Sequence, residues 1–335
     1  MTNEKAYSVT VIGAGSWGTA LAILLAQDNK PVVLWGHNKN HLTGIATQRC
    51  NQKYLPDITL PDSLSINTDL EQAVNASNVI LISVPSHAFR DTLKKIAPFL
   101  KPQHSIAWAS KGLEPETHKL LHTIVIEELG VERECAAVSG PTFAGEVAKG
   151  LPTAITVASS HDDFAASFAT RLHSKTFRAY TTHDVIGVEV GGAVKNALAI
   201  AAGIADGLGF GANTRAALIT RGLAEMSRLG LTLGAEPETF MGLAGLGDLV
   251  LTCTDDQSRN RRFGKLLAAG KTPEHAFTEI GQVVEGAQTA MVLHGLAEKL
   301  SIDMPICEQV YRVIYEQHDP HEAVSELFNR KQKPE

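Results

Sequence analysis

Cysteine is scarce in this chain, and its few thiols follow no pairing pattern. Cys50, Cys135, Cys253 and Cys307 form no CxxC pair and no zinc-ligand spacing, which argues against a disulfide framework or a structural zinc site and for a reducing compartment. An excess of positive charge is also lacking. The 30 Lys and Arg against 36 Asp and Glu give a formal net charge of -6, where nucleic-acid binders are more often net basic. That balance still permits a local basic pocket. Long uncharged apolar runs are missing as well: the nearest case, Ala197 to Ala205, is short and is followed by Asp206 and several glycines, so no bilayer span is expected. The opening MTNEKAYSVTVIGAG lacks the long apolar core and cleavage site of a signal peptide. There is no fixed-period repeat, and the charged tail Asn329 to Glu335 is expected to fray. These absences point to a cytoplasmic globular protein with no nucleic-acid partner and no stable membrane insertion. Its 335 residues, 44% of them hydrophobic, suffice for two domains with sizeable cores.

What is present begins with a regular alternation. Val9 to Ile12 is a short β-branched strand, glycines follow at once, Thr19 to Ala26 reads as an apolar helix, and Val32 to Trp35 is a second strand. Strand, glycine turn, helix, strand is the opening of a doubly wound sheet. Further strands are predicted at Val79 to Val84, Ser105 to Ala109 and Ala136 to Ser139, with Ala154 to Ala158 as an antiparallel or edge addition. Gly, Pro, Ser or Lys follows each apolar strand, and loops at the carboxyl ends of strands are where an open sheet places ligands. From about Asp184 the texture changes. Gly187 to Ala205, Thr214 to Leu229 and Ala287 to Leu300 are long Ala/Leu/Gly stretches that read as closely packed helices.

The first glycines are Gly13-Ala14-Gly15-Ser16-Trp17-Gly18, a complete GxGxxG. Alone that string is weak, but here a β-branched strand precedes it and a small-residue helix follows. Gly13 permits the tight turn, Gly15 lets a pyrophosphate approach the backbone, and Gly18 lets the helix pack close to the sheet. The helix N-terminus then faces the anion. The expected fold is therefore α/β, with an N-terminal Rossmann-type dinucleotide-binding domain over residues 1–185 and a C-terminal all-helical substrate and catalytic domain over residues 186–335. The second strand ends in Gly36-His37-Asn38-Lys39, with no carboxylate to hold the ribose 2′-hydroxyl of NAD or to repel a 2′-phosphate. NADP(H) is thus expected to be accepted alongside NAD(H). His37 is either a helper in that choice or simply a turn residue.

Lys195 lies in Gly191-Gly192-Ala193-Val194-Lys195-Asn196, among small and apolar neighbours. Read by itself it is either a partly buried general acid or base, since burial favours the neutral amine, or a lysine snorkelling to solvent. Asp248, in Gly245-Leu246-Gly247-Asp248-Leu249, is placed to orient that lysine, to hold its charge or to bond a substrate hydroxyl. Ser258-Arg259-Asn260-Arg261-Arg262 carries three arginines in five residues and is either an anion pocket or a solvated helix face. Lys111 directly follows a strand and is a further cation at the ligand-bearing edge.

The segments GAGSWGTALA, LWGH, VPSH, ASKGLE, SGPTFAGEVAKGLPTA, GVEVGGAVKNALAIAAGIADGLGFGANTRAALITRGL, GLAGLGDLVLTCTDDQSRNRRFG and GQVVEG together closely resemble the bacterial NAD(P)-dependent glycerol-3-phosphate dehydrogenases, from Gly13 to Gly286. The resemblance implies reversible reduction of dihydroxyacetone phosphate to sn-glycerol 3-phosphate, which feeds glycerophospholipid synthesis. It implies Lys195 as proton donor or acceptor, with Asp248 and Lys111 beside it in catalysis. Ser16, Trp17, His37, Lys111, Ala144, Arg259, Val283 and Glu285 would contact the cofactor, in addition to the glycines. Lys111, Gly140, Thr142, Lys195, Asp248, Ser258, Arg259 and Asn260 would contact the substrate. Relatives often carry Tyr or Phe where this chain has Trp17, and some have Ser at Thr142; ring and hydroxyl are kept. The implied chemistry needs no metal, and the implied assembly is a homodimer. Hydroxyacid, 6-phosphogluconate and ketopantoate dehydrogenases share the architecture, but GLAGLGDLVLTCT and SRNRRFG argue against them. A non-catalytic NAD(P) sensor would have no need of Lys195, Asp248 and Arg259 together.

Overall fold

The computed structural model describes residues 8–331, so the last four residues of the charged tail lie outside the described residues. The chain forms two compact units. One comprises the described residues up to Lys111 together with Leu121–Val185; the other comprises Gly112–Leu120 and the described residues from Ile186 onward. The short excursion of residues 112–120 into the helical unit is explained by Leu113 and Leu120, which are buried in that unit's core.

The first unit is built on an eight-stranded sheet. In chain order the strands of this unit are β1 (Val9–Ile12), β2 (Val32–Trp35), β3 (Cys50–Asn51), β4 (Leu55–Thr59), β5 (Leu64–Ile66), β6 (Val79–Ile82), β7 (Ser105–Trp108), β8 (Cys135–Ser139), β9 (Thr153–Ala158) and β10 (Phe177–Thr182). The sheet order is β10-β9-β8-β7-β6-β1-β2-β5, while β3 and β4 form a separate antiparallel ribbon. All sheet pairs are parallel except β8 with β9. Every residue of β1, β6 and β7 is buried, as expected for strands covered on both faces. Thr10, the one polar residue of β1, is satisfied by donating its hydroxyl to the Ala73 carbonyl at 2.8 Å.

From β1 the chain winds outward to β2 and β5, then returns to β6 on the other side of β1. The direction therefore reverses between β1 and β6, and a crevice at the carboxyl ends of such a pair is where open sheets bind ligands. Gly13 leaves β1 with φ +125°, and a Cβ on it would lie 2.1 Å from the Ser83 carbonyl oxygen at the end of β6. Only glycine fits between the two strand ends.

Four strands escape the sequence reading: β3 and β4 of the short ribbon, and β5 and β10 of the sheet. β5 is only three residues long, and β10 is an outer strand whose Arg178, Tyr180 and Thr181 are exposed, which hides its apolar alternation. The strand expected near Ala154–Ala158 is antiparallel to β8, but β10 covers its other side, so it is not an edge.

The helical unit is organised around the helix Val185–Gly207, in which every residue from Gly187 to Ala205 is buried. Its axis is crossed at backbone distance by the helix Arg259–Ala268: a Cβ on Gly203 would lie 2.0 Å from the Arg261 carbonyl oxygen. The uncharged run Ala197 to Ala205 is the second half of this helix, whose first half carries Glu189 and Lys195. The helix has 23 residues and a mean hydropathy of 1.5 over its best window, which passes a length-and-composition test for a membrane span, yet 89% of that window is buried inside the protein. The charged Lys195 breaks up the run in the sequence but not in the helix.

Helix Ala212–Leu233 packs on the same core and carries Glu225. The two oxygens of Glu225 accept the backbone N–H groups of Ile306 at 2.7 Å and Cys307 at 3.1 Å. These are the first amide donors of helix Pro305–Tyr315, whose opening proline has none. Burial pushes the Glu225 carboxyl up from 4.5 to about 7, against the opposing pull of those two amides. All four cysteines are free thiols.

Candidate functional site

In the sheet unit, helix Ser16–Leu25 starts directly after the glycine turn, with Gly15 as its N-cap residue and no capping side chain. The amide donors of its first turn therefore remain for an anion. Gly15 has no heavy atom within 4 Å of where a Cβ would stand, so its missing side chain leaves open space rather than relieving a protein contact. A Cβ on Gly18 would fall 1.9 Å from the Gly13 carbonyl oxygen, so this glycine is required by packing alone. Ser16 and Trp17 occupy the first helical turn, and the helix packs against the short helix Ala144–Ala148, where both Trp17 and Ala144 are partly buried on the core. His37 and Lys39 are both exposed beyond β2, and Asn38 between them caps helix Lys39–Gln48 by accepting the His41 N–H at 3.0 Å. A pyrophosphate-bearing group fits the turn: the backbone is open at Gly15, and donors face it. A 2′-phosphate meets no acidic group in the Gly36–Lys39 segment.

Three of the residues expected at the substrate meet on one carbonyl. Gly140 directly follows β8, and its oxygen accepts from the Lys111 Nζ at 3.2 Å and from the Thr142 hydroxyl at 3.1 Å. The cation expected at the carboxyl end of β7 is thus positioned by the loop that follows β8.

In the helical unit, residues far apart in sequence converge. Lys195 is buried, 8% exposed, and its ammonium donates to Asp248 Oδ1 at 2.9 Å and Thr252 Oγ1 at 3.0 Å. This disposes of the snorkelling alternative, because the head group ends on buried partners rather than in solvent. Asp248 is 1% exposed and opens helix Asp248–Thr254 directly after a π-helical turn, Leu243–Gly247. That widened turn lets Gly247 donate to the Gly242 carbonyl at 3.1 Å and delivers the carboxylate at the start of the helix. Thr252 lies one helical turn on, so both oxygens face the lysine from one helix side. Two of the three ammonium donors are used, leaving one for a third partner. The neighbouring Cys253 thiol is pushed up to about 12 by burial, although the charge of Lys195 pulls it down, so it packs as a neutral group.

Next to this pair stands an amide link. Asn260 Nδ2 donates to Asn196 Oδ1 at 2.9 Å, and Asn260 Oδ1 accepts the Gly286 N–H at 2.9 Å. Three helices are tied here, by residues beside Lys195, beside Arg259 and beside Glu285. Ser258 caps helix Arg259–Ala268 by accepting the Arg261 N–H at 3.2 Å. Arg259 is half-buried and donates to Gln282 Oε1 at 3.4 Å. Val283 is 46% exposed, and Glu285 opens helix Glu285–Leu300.

The three arginines do not act together. Arg261 is buried, and its guanidinium donates from Nε and Nη2 to Asp206 Oδ2 at 2.9 and 2.6 Å and from Nη1 to Asp256. Its charge is already matched, so it holds helices together and is not open to a ligand. Arg259 and the exposed Arg262 remain.

Thr252 and Asn196 were missed as individual residues, although both lie inside segments singled out in the sequence. The usable signal for Thr252 was its i+4 spacing from Asp248. Asn196 offered only adjacency to Lys195.

A Rossmann-type sheet with an open glycine turn, together with a buried lysine–carboxylate pair in a helical unit, defines an NAD(P)-dependent oxidoreductase. The comparisons narrow the class. Residues 8–165 match the family model for the NAD-dependent glycerol-3-phosphate dehydrogenase N-terminus, and residues 184–325 match that for its C-terminus. The chain is 55% identical over 329 residues to the glycerol-3-phosphate dehydrogenase [NAD(P)+] of Aeromonas hydrophila, covering 98% of each chain. It is 53% identical over 333 residues to that of Tolumonas auensis, covering 99% of this chain and 100% of the other. The crystal structure of the glycerol-3-phosphate dehydrogenase of Coxiella burnetii superposes with a TM-score of 0.94 at 46% identity, over 97% of this chain and 100% of that one. The chain belongs to the NAD-dependent glycerol-3-phosphate dehydrogenase family.

Proposed function

We infer that this chain catalyses the reversible NAD(P)H-dependent reduction of dihydroxyacetone phosphate to sn-glycerol 3-phosphate, a precursor of glycerophospholipids. The observation that carries the chemistry is the buried Lys195 ammonium, held at 2.9 Å by Asp248 and at 3.0 Å by Thr252. Bound NAD(P)H supplies the hydride for the C2 carbonyl, and NAD(P)+ accepts it in the reverse direction. Lys195 faces the carbonyl oxygen with its remaining N–H, stabilises the negative charge that develops there, and donates the proton. In the oxidation direction its neutral amine removes the hydroxyl proton. Asp248 keeps the lysine oriented, and Thr252 fixes the rotamer of both. The ammonium provides the positive charge that a metal ion provides in other carbonyl reductions, so the chemistry calls for no metal.

Arg259 takes the substrate phosphate, because its planar fork can meet two oxygens at once. Asn260 retains one amide N–H for the same anion while its other groups tie the helices, and Ser258 sets the turn from which both project. Lys111, Gly140 and Thr142 form a second polar group for substrate and cofactor. On the cofactor side, Gly13, Gly15, Gly18, Ser16 and Trp17 receive the pyrophosphate, with Ala144 beside them. His37 accommodates a 2′-hydroxyl or a 2′-phosphate, and Val283 and Glu285 attend the nicotinamide. The working form is a cytoplasmic homodimer without membrane insertion; the last point is supported by the burial of the one helix among the described residues that is long and apolar enough to cross a bilayer.

The test is a coupled-free assay: oxidation of NADH and of NADPH followed with dihydroxyacetone phosphate. Turnover with both cofactors is expected. Turnover with neither would reject the assignment, and strict refusal of NADPH would reject the reading of Gly36–Lys39.

A further inference from the structure

We propose that Asn51 is a positioning residue for the dinucleotide turn, joining that turn to the segment that meets the 2′ position of the cofactor. The proposal rests on the reading of the glycine turn as the cofactor site. Asn51 ends β3, is fully buried, and lies 37 residues from the turn it touches. Its Nδ2 donates to the Ala14 carbonyl at 3.0 Å and to the Thr19 hydroxyl at 2.8 Å. Ala14 lies between the first two glycines of the fingerprint, and Thr19 follows the third. One side-chain amide therefore bridges the second residue of the motif and the residue that follows its last glycine.

The same amide reaches outward. Its Oδ1 is 2.9 Å from His41 Nε2. Because the amide nitrogen spends both hydrogens on Ala14 and Thr19, Oδ1 must be the acceptor and His41 must carry a proton on Nε2. The His41 ring is further set edge-on against Tyr54, with centroids 5.3 Å apart. The backbone N–H of His41 is the group that Asn38 caps, so His41 is fixed at both ends. A continuous link runs from the cap of helix Lys39–Gln48, directly after His37, through His41 and Asn51 to Ala14 and Thr19. Pyrophosphate turn and ribose segment are in this way held in register before any cofactor arrives, which removes an ordering cost from binding.

A residue that merely supports the fold would lower stability without changing the affinity of the protein that remains folded. A positioning residue changes affinity for the cofactor and leaves the substrate parameters in place. The experiment measures Kd for NADPH and NADH by ligand-fluorescence titration, alongside thermal unfolding and KM for dihydroxyacetone phosphate, on the full chain and its variants. Asn51→Ala is expected to raise both cofactor dissociation constants about tenfold, since it strips partners from two buried groups, while KM for dihydroxyacetone phosphate at saturating cofactor moves less than about threefold. Thr19→Val keeps shape and removes one bond, with an expected rise of about threefold, and Thr19→Ser restores the wild-type value. If Asn51→Ala fails to fold, the Thr19 pair decides. Wild-type cofactor affinity in folded Asn51→Ala, or in Thr19→Val, overturns the positioning role while leaving the cofactor site intact. A wild-type chain that binds neither NADPH nor NADH overturns the reading of the turn itself.

Discussion

A Cβ on Gly18 would meet the Gly13 carbonyl oxygen at 1.9 Å, whereas Lys195 draws its partners from positions 53 and 57 residues further along the chain. The turn in the sheet unit is made by leaving side chains out, so that backbone donors stand clear and strand, turn and helix can close on one another. The centre in the helical unit is made by burying polar side chains that satisfy one another. In the first kind of site the fold tolerates a side chain that points into open space and fails where one would strike backbone, while the ligand is felt at either position. The second fails at any member, because each buried group that loses its partner is left costly and unpaired.

The largest expected effect breaks the second site alone. Lys195→Ala should lower kcat by roughly 100-fold to 10,000-fold, the usual range for a general acid. It should also cost roughly 3–5 kcal/mol of stability, because Asp248 is left buried without its cation. Stability is therefore read by denaturant unfolding before turnover is compared. Near-normal kcat would refute the assigned role.

The next effect sharpens the division within the first site. Gly18→Ala should destabilise the protein by about 1–3 kcal/mol, because backbone must move to admit the methyl group. Gly15→Ala should fold with wild-type stability, having no protein atom within 4 Å to strike, yet weaken NADPH binding about tenfold or more where the ligand backbone must approach. Equal stability losses in the two variants would contradict the contrast.

A smaller effect separates phosphate from carbonyl recognition. Arg259→Ala should lower kcat/KM for dihydroxyacetone phosphate by at least about tenfold, one charge-assisted contact. Unphosphorylated dihydroxyacetone, a poor substrate from the outset, should be affected far less. A loss shared equally by both substrates would move the phosphate to Arg262 or Lys111, since Arg261 is already matched by Asp206 and Asp256.

A further effect, on stability and not on turnover, lies away from both sites. Glu225 is ordinarily ionised above 4.5 but is pushed up to about 7 in the fold. The folded protein therefore binds a proton more tightly than the unfolded chain, and the stability gained this way is complete below about pH 4.5 and lost as pH rises through about 7. Relative to Glu225→Gln, the wild type should lose a few kcal/mol of unfolding free energy, roughly 3, across that window. A difference that stays flat between those pH values would refute the shift.

The same comparison accounts for what the sequence could reveal. The glycine turn is contiguous, and its context of strand and helix is local, so Gly13, Gly15 and Gly18 could be read with their roles. The core strands β1, β2, β6, β7 and β8 were legible because burial on both faces makes them continuous apolar runs. β5 and β10 were not, because one is too short and the other is partly exposed. In the helical unit single residues could be flagged, but the partnership of Lys195 with Asp248 stayed one of several options. Periodicity says which face a residue occupies, not which distant helix it meets. Nothing in Arg259-Asn260-Arg261-Arg262 distinguished the arginine that Asp206 would claim. Asn51 gave no signal at all, since its partners are a backbone carbonyl, a threonine and a histidine with no shared motif.

The most direct test of the account is to measure cofactor Kd and kcat side by side in Lys195→Ala and Gly15→Ala. The account predicts a crossed result: Lys195→Ala binds NADPH with wild-type affinity and has lost turnover, while Gly15→Ala binds weakly and recovers much of its turnover at saturating cofactor. Contradiction would come from Lys195→Ala retaining turnover, or from both variants losing binding and turnover by the same factors.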